Sequence, residues 1–311
     1  MTRWKVAALL AVPALLLAGA GPGTAWESLS SGFITVEHAS EDELAARRVL
    51  EIASEAAPRL HRDMGVEPAP IRLQIAPDET AFRDMTSGSV PEWGVGVAYP
   101  SRALIVLRSP RIVEYPLALG QIVVHELAHV AAHRGLRGVR APRWFHEGVA
   151  MMSAGEWRLG SLDAMVARIG GGGTIPLAEL DTSFPYDTSD ASAAYAESFF
   201  AVDYLAEVSG VGTAPDLVRA MGAAGSFGEG VRILTGGGQD EFERNAVAAM
   251  RRSFTLPLFL RTGDFLFLGL AVLVVVALVL RLRTRRRRMA DLAENRDEPP
   301  RWRPGSDSAW H

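Results

Sequence analysis

The chain contains no cysteine among its 311 residues. Disulfides, thiolate zinc clusters, iron–sulfur centres and cysteine nucleophiles are excluded together, so any metal has to be held by histidine and carboxylate groups. Positive charge is also scarce where a nucleic acid would need it. The net charge is −4, yet the first 25 residues hold two basic groups and no acid, and residues 281–311 hold nine Arg against five acids. Residues 26–280 thus carry 21 basic and 31 acidic groups, a balance of −10. Such a region repels phosphate, which removes nucleic acid from the expected partners. The sequence has no internal repeat. A charged fraction of 22% does not suit wholesale disorder, and the length allows one large domain or two small ones.

Two segments read as lying outside the fold. Residues 1–25 begin with Arg3 and Lys5, continue with an apolar run over 6–20 and end in small residues, the pattern of a secretory signal peptide. Residues 265–280 (FLFLGLAVLVVVALVL) are sixteen apolar residues without a charge, about 24 Å of helix against a hydrocarbon core of ~30 Å. Leu282 and a snorkelling Arg281 extend the span. RLRTRRRR follows at once, with six Arg in eight residues, and the positive-inside rule keeps that end cytoplasmic. The expectation is a domain at 26–253 outside the cytoplasmic membrane. An interfacial segment and single transmembrane helix follow over 254–282, then a basic, disordered cytoplasmic tail over 283–311.

Within the domain, residues 32–38, 71–76, 93–98 and 103–108 read as strands, the last two as a hairpin. Ser40 and Glu43 form a capping-box pattern ahead of a helix that runs to Gly65. A short helix is expected near 79–86, then a long one over 112–134 closed by Gly135. Further helices are expected near 147–154, 161–168, 191–208, 214–222, 227–234 and 239–253. Strands first and helices later predict an α+β fold with two lobes, an N-terminal sheet and a mostly helical C-terminal lobe. The strand at 103–107 is either an ordinary internal strand or, by analogy with zincins, an edge strand that pairs with an extended peptide.

The chemistry concentrates in the long helix, at His125-Glu126-Leu127-Ala128-His129. Histidines at i and i+4 share one helical face and both reach one ion at ~2.0–2.1 Å, while Glu126 addresses a water instead. Ile122, Val123, Val124, Leu127 and Val130 make the helix apolar on several sides, so its polar residues need partners. A catalytic zinc requires a third protein ligand. His133 lies eight residues from His125, roughly 12 Å along the axis, and cannot join the same ion. Ala132 and Gly135 stand where a metzincin has Gly and His. His146 and Glu147 remain, and adjacent side chains diverge, so only one of them faces the metal. Tyr186, Tyr195, Tyr204, His133 and His146 are candidates to stabilise a developing oxyanion. The glycines 170–173 lack a following Lys-Ser/Thr and read as a loop.

HELAH followed by Pro142-Arg143-Trp144-Phe145-His146-Glu147-Gly148-Val149-Ala150 resembles the gluzincin arrangement, most closely the peptidase MA-like family of HExxH proteins. The hairpin WGVGVAYPSRALIVL and the stretch AYAESFFAVDYL (194–205) share the resemblance, which covers about 220 residues. It implies a zincin-like two-lobed domain with His125, His129 and Glu147 binding Zn2+, Glu126 as general base and Tyr195 at the position of a cleft-facing tyrosine. It also implies a zinc metallopeptidase; together with the expected topology, its substrate is expected to be a peptide or protein of the cell envelope. One departure is a short connection, with seventeen residues between His129 and Glu147. An inactive zincin-fold binding module and a zinc hydrolase of a non-peptide amide compete with this reading. The intact Glu126 and third carboxylate weigh against the module.

Overall fold

A computed structural model describes residues 26–115, 117–156, 173–182, 188–261, 272–278 and 281. The leader at 1–25, the helix expected at 161–168, most of the Gly170–173 loop and the whole tail at 283–311 lie outside them. Strands β1 (Trp26–Ser31), β2 (Ile34–Ala39), β3 (Ile71–Ala76), β4 (Gly96–Tyr99) and β5 (Leu104–Arg108) form one mixed sheet in the order β1-β2-β3-β5-β4. β2, β3 and β5 run parallel, and β1 and β4 are antiparallel edges. β1 was not expected from the sequence: WESLSS is polar, and its residues are exposed or half-buried.

Of the central strands only β5 is buried on both faces; β2 and β3 alternate, with Thr35, Glu37, Arg72 and Gln74 on their less covered face. In β5, Ile105 and Leu107 point into the main core with helices α1 (Glu43–Asp63) and α3 (Leu119–Gly135). Leu104 and Val106 point the other way, onto Phe82 of helix α2 (Glu79–Thr86). This period of two explains why ALIVLR reads as a continuous apolar run. β5 is therefore an internal strand, and the edge beside it is β4. Of the two alternatives for 103–107, the structure takes the internal strand.

Three helix starts differ from the sequence reading; the helix expected from 147 begins at Arg143, behind Pro142. The Ser40–Glu43 capping box does not form: 40–42 make a 3-10 turn, and Ser40 Oγ donates to Glu27 Oε1 at 2.8 Å instead. α3 begins at Leu119 and not near 112, since a residue before proline avoids the helical region and Pro116 follows Tyr115. The segment before α3 is anchored by Asp42, which is 1% exposed and accepts from Ser109 Oγ (2.5 Å) and Arg111 Nε (2.6 Å).

Beyond α3 the chain is helical: α4 (Arg143–Ala154), α5 (Leu177–Thr182), α6 (Thr188–Ser209), α7 (Ala214–Ala224), α8 (Phe227–Thr235) and α9 (Gln239–Arg261). The chain divides after Thr255 into two compact units. In the second, residues 272–278 are helical and exposed; the rest of the apolar run at 265–280 lies outside the described residues. Among the described residues, no helix is long and apolar enough to cross a membrane.

Candidate metal centre

α3 is packed on most of its circumference, with Ile122, Val123, Leu127, Val130, Ala131 and Ala132 buried. The strip left over carries His125, Glu126 and His129. After Gly135 the chain reverses through Arg137 and Gly138, both at positive φ, and enters α4 behind Pro142. α4 is held in place by its own first turn. Trp144 and Phe145 are fully buried, each packed edge-on against Phe227 (5.7 and 5.2 Å between ring centres), and Trp144 also stacks on Phe242. That anchorage delivers the next residue but one, Glu147, to the face of α3.

Three donor atoms converge there. His125 Nε2 lies 3.1 Å from His129 Nε2, and Glu147 Oε2 lies 3.6 Å from the first and 3.5 Å from the second. Donors placed 2.0–2.2 Å from a common ion in a tetrahedron stand about 3.3–3.6 Å apart; both carboxylate separations match this and the 3.1 Å between the histidines is a little shorter, a triangle close to that of a zinc site. Glu147 and not His146 completes it. Its other oxygen, Oε1, is 3.4 Å from Arg143 Nε, which leaves Oε2 for the histidines. His146 is neutral, its pKa lowered to about 4 mainly by burial.

The electrostatics are those of an ion cluster. Burial opposes charge on both partners, but Glu147 and Glu156 outweigh it at His125 and raise its pKa well above the ordinary value. The two histidines likewise outweigh burial at Glu147, whose carboxyl titrates well below the carboxylate range. Glu126, not among the three donors, is 8% exposed, and burial raises its pKa. It packs against Gly96 of β4: a Cβ on that residue would meet Glu126 Oε1 at 3.2 Å. Glycine at this register position therefore gives the carboxylate its room.

Glu126 and the three donors line a cleft of about 440 Å³, together with Gly96, Val97 and Ala98 of edge strand β4. Trp93 and Tyr195 close one part of it, ring edge to ring face with centres 6.3 Å apart. Burial, then Glu147, pushes the Tyr195 phenol well above its usual pKa of 10, so it stays protonated and able to donate. Tyr204 instead stacks with Phe200 and Phe242 away from the cleft, and Tyr186 lies outside the described residues. His133 lines the cleft without joining the donor triangle.

Three contributors escaped the sequence reading. Trp93 reaches the cleft because Arg108 pins its loop: one guanidinium nitrogen donates to the Glu92 carbonyl, another pairs with Glu79 at 3.2 Å, and the group lies 4.4 Å over the Phe82 ring. Gly96 sits in an unremarkable strand. Glu156, just past the end of α4, places Oε1 3.2 Å from His125 Nδ1, off the direction of a regular hydrogen bond. None of these has a local motif to announce it.

An HExxH helix, a carboxylate from the next helix and a cleft bounded by an edge strand define a metallopeptidase-like fold. The profile of the peptidase MA superfamily matches residues 52–245, more than half of the chain, and the protein belongs to that superfamily. It is also similar to an uncharacterised protein of Bacillus subtilis (strain 168), YhcO, with 24% identity over 155 residues. That match spans 45% of this chain and 46% of the relative, about half the length of each.

Proposed function

We propose that the protein is a zinc-dependent peptidase. The observation that carries the reading is the near-equilateral His125–His129–Glu147 donor triangle with an uncoordinated, buried Glu126 beside it. Zinc, when bound, supplies a Lewis acid for the scissile carbonyl and brings the attacking water towards neutral pKa. Glu126 takes the proton of that water and delivers it to the leaving amine, a task suited to a carboxyl whose pKa burial has raised. Tyr195, kept protonated, donates its O–H to the oxygen that gains charge. The open edge of β4 along the cleft offers main-chain groups to an extended peptide, which adds as a further strand.

The leader-like start and the apolar, Arg-flanked run at 265–280 support a single-pass protein whose catalytic domain (26–253) faces outward, with peptides or proteins of the cell envelope as substrates. Protease added to intact spheroplasts then removes the domain and leaves a small membrane-bound remnant; a protected domain with a digested tail would reverse the orientation. The peptidase reading is tested with the purified chain and a mixed peptide library. Cleavage is expected to stop on chelation and to return with one equivalent of zinc. A zinc-loaded chain that cleaves nothing favours a binding module.

A further inference from the structure

Resting on the reading of His125, His129 and Glu147 as metal ligands, we propose that Glu156 is a positioning residue that fixes the ring of His125 from behind. The argument starts with the imidazole. A neutral ring has one lone-pair nitrogen and one N–H, and a metal at Nε2 requires the proton on Nδ1. That N–H is buried, and a buried donor without a partner is costly. Among the described residues His125 Nδ1 makes no regular hydrogen bond, and Glu156 supplies the acidic group beside it, with Oε1 3.2 Å away on the side of the ring opposite the donor triangle.

The fold brings Glu156 there by a specific turn. α4 ends at Ala154, Gly155 takes φ +66°, and the Glu156 amide donates back to the Met151 carbonyl at 2.9 Å. This reversal turns the Glu156 side chain under α3, where it is 7% exposed. Gln121 Nε2, near the start of α3, donates to the Gly155 carbonyl at 3.3 Å and ties the same corner to the same helix. The helix that delivers Glu147 to one side of His125 therefore also delivers a carboxylate to the other. A carboxylate behind a ligating histidine selects the tautomer, limits ring rotation and increases the donor strength of Nε2.

The test uses the full chain, wild type and with Glu156→Gln, Glu156→Ala and Glu156→Asp, and measures zinc affinity by competition with a chromophoric chelator. Loss of such a carboxylate typically weakens metal binding 10- to 100-fold. The order expected is wild type tightest, Gln and Asp intermediate, Ala weakest, with far-UV circular dichroism of the metal-free proteins unchanged. Affinities of Gln and Ala within twofold of wild type overturn the proposal. Lower melting temperatures with unchanged affinity would instead assign Glu156 to the stability of the α4 corner, and also overturn it. Long-range proton–nitrogen NMR of the zinc-loaded wild type provides a check without any variant. His125 protonated at Nδ1 is expected, and protonation at Nε2 refutes the role. Tight zinc binding that depends on Glu156 in a chain that cleaves no peptide would leave this inference standing and remove the peptidase reading. A wild-type chain that takes up no zinc removes both.

Discussion

Replacing Gly148 by Ala sets helix propensity against packing, and the sign of the result decides between them. Gly148 follows the donor Glu147 where α4 crosses α6. A Cβ there would overlap the Ser198 carbonyl oxygen and come within 2.5 Å of Val202 Cγ2 and 3.0 Å of the Ser198 carbonyl carbon. Comfortable carbon contacts are about 3.5–4.0 Å, so the two helices have to separate by roughly 1 Å. They cannot do so freely. Trp144 and Phe145 lock α4 into the aromatic cluster, and α6 is fixed by the fully buried Glu197, which accepts from Ile175 N at 3.0 Å. Overpacking of this kind costs about 1–3 kcal/mol, while Ala in a helix interior gains about 0.5–1 kcal/mol over Gly. The net loss of about 1–2 kcal/mol lowers Tm by about 2–8 °C for a domain of this size. The assay is thermal unfolding of the metal-free chain, beside Gly120→Ala in α3, where an added Cβ meets nothing within 4 Å. Zinc affinity should fall with Gly148→Ala, because Glu147 rides on the displaced backbone. A Tm equal to or above wild type would refute the close-approach argument.

Other consequences of the geometry are open to measurement. Gly96→Ala places a methyl 3.2 Å from Glu126 Oε1 and 2.9 Å from Leu107 Cδ2; a displaced base should lower kcat about tenfold or more at unchanged zinc content, and full activity would mean that Gly96 does not set the position of Glu126. His61 is 1% exposed, stacks on Phe33 and lies 3.1 Å from Arg134 Nη1, and burial followed by the Arg134 charge lowers its pKa to about 4. Because the folded pKa lies below the unfolded value of about 6.5, the unfolded chain takes up the proton first; this stability is present above pH 6.5 and is lost as pH falls towards 4. Urea unfolding at pH 7 and 4.5 should show a loss in wild type exceeding that of His61→Phe by roughly 1–3 kcal/mol; equal losses would contradict a neutral His61.

The donor set was legible in the sequence because HELAH and the Glu-Gly pair are local patterns, and local spacing on a helix fixes geometry directly. The residues alone left His146 and Glu147 open; the resemblance pointed to Glu147, and α4, anchored by the buried Trp144 and Phe145, brings that carboxylate to the two histidines. Strand positions were legible for the same reason, but strand order was not. Whether β4 or β5 forms the edge depends on the parallel pairing of β5 with β3, a contact between distant parts of the chain. β1 was hidden by its polar composition, and the start of α3 by apolar residues ahead of Pro116. Glu156 was illegible because its role depends on a single left-handed glycine and on the tertiary contact that this turn creates.

The central claim is that Glu126 works as the base of a zinc site it does not itself ligate. It is tested most directly by comparing the zinc-loaded wild type with zinc-loaded Glu126→Gln on the same peptide library. The account predicts equal zinc content and a cleavage rate lower by a factor of about 10² or more in the variant. Equal cleavage by the two proteins, or loss of zinc from Glu126→Gln, would contradict it.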